Sequence, residues 1–338
     1  MKNTISIFLL LFSINAFSQA TDSATMYYNK GMQEMNERRF LVASNNFNQS
    51  IQLNPSYTNA YLQNGLANKE MRRTDAAKLN FVKAYELDNN NEQAIAELVN
   101  IYYNYRQYQQ AIDMAQKCKS CDNKDRIIAM SYFQMEDYGK AEKILIQFID
   151  KNPQDAEATY TLARTYLEMG LEKKAIPYYI KALQLDDTKS KWHFELGLLY
   201  YNNDNYKNAV TSFNKAADNG FIKSNDFNEN LGFAYIYSGN FDNGEKLLTE
   251  IMARKPGDKE LIRDVALAFY DRKMYDKCLE YCQKLMEMDM KDGKALYQAG
   301  LCFQKKGETS KGQQMCDKAI ELDPSLGGLR HKRMTMGM

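Results

Sequence analysis

AEATYTLARTYLEMGLEKKAIPYYIKALQLDD, residues 156–187, reads as two short helices around a turn. In its first half Leu162, Ala163, Tyr166 and Leu167 fall on one face of a helix ending near Gly170; in its second, Ala175, Tyr179, Ala182 and Leu183 do the same. Ala163, Ala175 and Ala182 let two helix backbones approach closely, and Tyr166 and Tyr179 fill the space between them. A pair this short cannot bury its apolar face alone, so it must repeat or lean on a larger body.

It repeats. With Ala156 as slot 1, equivalent units start at Ala24, Thr58, Glu92, Asp122, Ser190, Asn225, Lys259 and Gly293, separated along the chain by 34, 34, 30, 34, 34, 35, 34 and 34 residues. Slot 8 is small in most units, slot 11 is mostly aromatic, and slots 20, 24 and 27 carry the second helix's contacts; Glu34 and Asn68 break the aromatic slot. Pro55, Pro153, Pro256 and Pro324 all occupy slot 32, just past the second helix, where no helical N–H is needed. Pro177 is expected in the first turn of a second helix.

On these slots the chain resembles the tetratricopeptide repeat family, from residue 24 to about 326. The resemblance implies an all-α, right-handed superhelical solenoid of nine helix-turn-helix tetratricopeptide repeats. Repeats one to three would span 24–121 and repeats four to nine 122–326. In the family the first helix of each pair lines a concave face, which here presents Tyr28, Tyr103, Arg126, Phe133, Tyr160, Arg164, Phe194, Tyr201, Phe233, Tyr237, Arg263, Tyr270 and Tyr297. Such an apolar, aromatic groove suits an extended peptide or a partner helix. The carboxylate clamp of some members is not expected, because its slots in repeat one hold Tyr28 and Met32. The implied function is a protein-binding scaffold or assembly factor; the alternative is a self-associating or structural subunit of an envelope complex that uses its convex face.

Residues 1–20, MKNTISIFLLLFSINAFSQA, follow the plan of a secretory signal peptide, with Lys2, an apolar run from Ile5 to Phe12 and small residues after it. That run is too short to span a bilayer, which needs about 20 residues. Export to a periplasm or cell envelope is therefore expected, with no membrane span after cleavage following Ser18 or Ala20. The chain carries 44 Lys and Arg against 43 Asp and Glu, and no basic excess points to nucleic acid. The 24 tyrosines and 16 phenylalanines have a structural explanation first: those at slot 17, Phe40, Tyr108, Tyr138, Tyr206, Phe241 and Tyr275, are expected to pack the turn before each second helix.

The unit from Glu92 is short by about one helical turn, so its second helix should stop near Lys117 and enter the corner KCKSCDNK. Either a hinge at 118–124 or a uniform stack with one shorter helix accommodates this. Cys118 and Cys121 there admit a local disulfide, a redox dithiol or half a zinc site. The pair follows a helix C-terminus, where the dipole does not activate a thiol, and Cys278 and Cys282 lie five repeats away, so no shared metal is expected. Cys278, Cys282, Cys302 and Cys316 read as small core residues, with a link from Cys302 to Cys278 or Cys282 sterically open. Neither His193, in a packing slot, nor His331 has a nucleophile placed beside it. No catalytic residue, cofactor or metal is expected. Leu326 and Leu329 extend a short cap over the last repeat, and residues 327–338 form a basic tail.

Overall fold

A computed structural model describes residues 22–328, so the expected signal peptide and the last ten residues lie outside it. The described residues form eighteen α-helices, paired as nine hairpins, and a closing 3-10 turn at Pro324–Leu326. First helices are α1 (22–36), α3 (Thr58–Glu70), α5 (Glu92–Asn104), α7 (Lys124–Gln134), α9 (Ala156–Glu168), α11 (Ser190–Asn202), α13 (Asn225–Ser238), α15 (Lys259–Asp271) and α17 (Gly293–Lys305). Second helices are α2 (Phe40–Leu53), α4 (Thr74–Leu87), α6 (Tyr108–Lys117), α8 (Tyr138–Lys151), α10 (Glu172–Leu185), α12 (Tyr206–Asp218), α14 (Phe241–Arg254), α16 (Tyr275–Met288) and α18 (Thr309–Leu322). They form two compact units divided inside α10, between Tyr178 and Tyr179; the expected division after residue 121 falls within the first unit.

Within each unit the hairpins close by one volume exchange. Slot 24 of the second helix inserts against slot 8 of the first, and where slot 24 is a phenylalanine, slot 8 is a glycine. A Cβ at Gly31 or Gly65 would lie 2.5 Å from the ring of Phe47 or Phe81, and one at Gly197 would lie 2.7 Å from Phe213. The same holds with smaller partners at Gly232 against Leu248 and Gly300 against Cys316, both 2.7 Å. The third hairpin reverses the exchange: Val99 occupies slot 8 and Ala115 slot 24, both buried in one cluster. Interiors packed to crystal density accept this swap because the summed volume is kept.

The turn between the two helices rests on a second regularity. Slot 15 is left-handed in all nine hairpins, yet only Gly170, Gly239 and Gly307 fill it with glycine; Arg38, Arg72, Arg106, Glu136, Asp204 and Lys273 adopt φ between 57° and 63° there. For an L-residue this conformation costs about 1–2 kcal/mol. In four of those six hairpins an aromatic pair brackets the strained residue, slot 12 against slot 17: Tyr103 with Tyr108, Phe133 with Tyr138, Tyr201 with Tyr206 and Tyr270 with Tyr275, at 5.4–5.8 Å and steep interplanar angles. Edge-on pairs of this kind return about 0.5–1.5 kcal/mol. The slot-17 ring is the first residue of the second helix rather than the residue before it, and in these four hairpins it packs the turn as expected.

Three local departures have physical causes. Helix α10 starts at Glu172, so Pro177 lies in its second turn rather than its first, and the helix forgoes a backbone hydrogen bond there. Helix α6 ends at Lys117 and α7 begins only at Lys124, because the corner between them is tied down: Cys118 and Cys121 are disulfide-bonded, and the Glu92 carboxylate accepts from Lys119 N, Ser120 N and Ser120 Oγ at 2.9–3.1 Å. Those backbone donors hold Glu92 below the usual carboxylate range. Asn68, which breaks the aromatic slot, is buried in an amide network in which Ser44 Oγ donates to Asn64 Oδ1 and Asn64 Nδ2 to Asn48 Oδ1, each at 2.7 Å, while Asn68 Nδ2 reaches Asn64 Oδ1. Glu34, the other exception, is ion-paired to Arg39.

Two stability measurements check these constraints. Gly197→Val is expected to cost about 3 kcal/mol by overpacking and Phe213→Ala about 3–5 kcal/mol by cavity formation, while the double variant falls short of their sum by more than about 1 kcal/mol; strict additivity in urea unfolding contradicts the exchange. Arg106→Gly should stabilise by about 0.5–1 kcal/mol through relief of the left-handed strain, and a destabilised variant contradicts it.

Candidate functional site

Helical periodicity brings the residues expected to form a groove onto the first-helix faces, and each unit carries its own part. In the first unit Tyr28 lies 5.0 Å from the Tyr57 ring and 5.9 Å from Phe47. Tyr103 and Phe133 are half-buried against their slot-17 partners, and Tyr160 on α9 is half-buried too. Arg164 stacks over the Phe133 ring at 5.3 Å and pairs with Glu168 at 2.7 Å.

Arg126 and Arg263 are ties between repeats rather than open cations. Each sits in slot 5 and reaches the aspartate that caps the next first helix. Arg126 Nε lies 3.2 Å from Asp155, whose carboxylate accepts from Ala158 N; Arg263 grips both oxygens of Asp292, which accepts from Ala295 N. The Asp292 side chain is only 7% exposed. Although burial raises it, its bonds from Arg263 and Ala295 bring the carboxyl below its ordinary value. One carboxylate thus caps a helix and fixes the neighbouring repeat.

In the second unit Phe194 is a packing ring: it stacks on Phe221 at 4.5 Å and lies 5.7 Å from both Phe213 and Phe227. Phe233 packs against the core shared by its own hairpin and those that follow, and Tyr297 is 8% exposed among Leu301, Cys316 and Leu326. The open aromatic surface is therefore narrower than the slot pattern suggested. It centres on Tyr201, Tyr206 and Tyr237, with Tyr206 and Tyr237 stacked at 4.9 Å and Tyr201 edge-on to both. Burial and nearby carboxylates push Tyr201 and Tyr206 up to about 12 and raise Tyr237 as well. Beside them stand Glu229, Asp264 and Asp271; Glu229 shares slot 5 with Tyr160 and Phe194, and its acidity alone carries no aromatic signal. Leu267, 45% exposed, lies on the same face of α15 as Asp264 and Asp271.

The opposite, second-helix side of this unit has a cleft of about 460 Å³ between α10 and α12, floored by α11. His193 is buried there; its Nε2 lies 3.0 Å from both the carbonyl and a carboxylate oxygen of Asp187, which also pairs with Lys215. This closes one repeat on the next. Among the described residues no group of three or more His, Cys, Asp or Glu is placed to hold a metal, and no helix is long and apolar enough to cross a membrane.

Cys278, Cys282, Cys302 and Cys316 are buried free thiols, with the Sγ atoms of Cys278 and Cys282 3.9 Å apart. Hydrogen bonding to Cys278, together with burial, pushes the Cys282 and Cys302 thiols up.

The tetratricopeptide repeat profile matches residues 128–190, and a second profile of the same repeat matches 193–218 and 293–326. Those segments are tetratricopeptide repeats. Human protein O-mannosyl-transferase TMTC1 is 26% identical over 190 residues, which cover 52% of this chain and 21% of that protein. TPR repeat-containing protein MJ1428 of Methanocaldococcus jannaschii is 26% identical over 190 residues, covering 54% and 32%. The chain thus spans about a fifth to a third of the length of these relatives. Among solved structures, MamA is similar at 21% identity, covering 50% of this chain and 95% of that one with a TM-score of 0.44. Tetratricopeptide hairpins bind protein partners, and here their first helices offer rings, carboxylates and one exposed leucine on rigid elements.

Alkylation followed by mass spectrometry checks the cysteine assignment. Without reductant the native chain should resist labelling; unfolding should expose four thiols, and reduction the remaining two of the six cysteines. Six labels without reduction would contradict the Cys118–Cys121 bond.

Proposed function

We propose that this chain is a non-catalytic scaffold, exported to the cell envelope, that holds an extended segment of another protein against its first helices. The observation that carries the reading is the persistence of partly exposed rings on those helices after packing has taken its share: Tyr103, Phe133, Tyr160, Tyr201, Tyr237 and Tyr270 all keep part of their surface open. Rigid aromatics lose little entropy on contact and dominate the energetics of such surfaces. The second-helix side offers mainly a cleft whose histidine, aspartate and lysine already satisfy one another.

The test uses residues outside the fully buried core. Phe194 is unsuitable, because a charge there would break its stack on Phe221. Tyr160→Ser and Leu267→Ser are expected to keep full helicity and to weaken capture of a partner from cell-envelope extract by at least about tenfold. Equal capture by the folded variants and the parent chain would overturn the reading.

A further inference from the structure

The first-helix surface of the second unit differs chemically from a generic aromatic groove. On α15, Glu260, Asp264, Leu267 and Asp271 recur at spacings of four, three and four residues, forming one stripe with the single exposed leucine among three carboxylates. Facing this stripe are the three rings Tyr201, Tyr206 and Tyr237, and Glu229 from α13. Positive groups nearby are few and partly committed. Arg263 is bound to Asp292 and Glu260, and Lys255 and Arg272 act only at longer range, on Glu229 and Tyr206. Glu229 and Asp264 have no ion-pair partner among the described residues.

Resting on the reading of these helices as a partner-binding face, we propose that the surface formed by Tyr201, Tyr206, Tyr237, Glu229, Asp264, Leu267 and Asp271 docks an extended segment of another protein in which lysine or arginine alternates with apolar residues. Two features on the same surface select that occupant. An ammonium or guanidinium group over a tyrosine face within about 6 Å is attracted by the ring quadrupole, and stacked rings present such faces while Leu267 offers an apolar contact. Carboxylates flank the rings, so the surface is complementary in charge to a cation and repels an acidic segment.

The electrostatics agree in direction. Glu229, Asp264 and Asp271 are all raised above ordinary carboxylate values, first by burial; for Glu229 and Asp264 neighbouring acids add to the effect. A raised carboxyl is better tolerated by the fold when protonated, so at neutral pH its charge opposes folding and a cation relieves it. The consequence separates binding from structure: Glu229→Gln and Asp264→Asn remove charges that the fold does not need. Their thermal midpoints should equal or exceed that of the parent chain, while binding is lost.

The experiment measures fluorescence anisotropy of three labelled peptides on the full chain: alternating lysine and leucine, and its glutamine and glutamate counterparts. The lysine peptide is expected to bind at least about tenfold tighter than the glutamine peptide, and the glutamate peptide weakest. Glu229→Gln with Asp264→Asn should abolish that preference, and Tyr237→Leu should weaken the lysine peptide by about five- to tenfold. Equal binding of the lysine and glutamine peptides, both weakened by Tyr237→Leu, would overturn the charge selectivity and leave the groove reading standing. Lysine-peptide binding unchanged in all variants would overturn both. Self-association of the full chain, lost on the same charge substitutions and on removal of Arg330, Lys332 and Arg333, would assign the surface to the chain's own tail and overturn the proposal of a separate partner.

Discussion

Everything in this chain depends on how closely two helices of a hairpin approach, and that distance is set by the ring or methyl group entering from slot 24 and the space left for it at slot 8. Where Phe47, Phe81 and Phe213 enter, Gly31, Gly65 and Gly197 make room; where Val99 fills the space, Ala115 withdraws. Because each hairpin buries only one face by itself, an error in this exchange would propagate to the seat of the next hairpin. In these four hairpins the volume that one slot gives up is taken by the other.

The second constraint is the left-handed residue at slot 15. A glycine there would remove the strain, yet six hairpins keep a charged side chain, and four of these carry an aromatic pair across the turn. The same slot-12 rings face outward on the first helices. One side chain therefore stabilises a turn and presents a contact surface, so that only some of the area of the chain's 24 tyrosines remains for a partner.

The period of 34 residues made the helices legible, including the early stop of α6 at Lys117, because apolar spacing and proline placement report on backbone geometry directly. Other features were not legible for physical reasons. Slot 15 carries no compositional mark, since arginine, glutamate, aspartate and lysine there look like any exposed turn. Phe194 shares its slot with Tyr160 and Glu229, and only the arrival of Phe221 from the following loop makes it a packing ring. Arg126 and Arg263 read as open cations until their partners, one repeat later, come into reach. The late start of α7 follows from the Cys118–Cys121 bond and the grip of Glu92 on the corner, which spacing alone does not specify. Glu229, Asp264 and Asp271 each look like ordinary surface acids in the sequence, and their meaning comes from standing together beside tyrosines.

The central claim is that the first helices form the contact face. Hydrogen–deuterium exchange on the full chain, free and with the lysine–leucine peptide bound, tests it most directly. New protection concentrated in α11, α13 and α15 is the predicted result; protection confined to the second helices α10 and α12, or to the 118–124 corner, would contradict it.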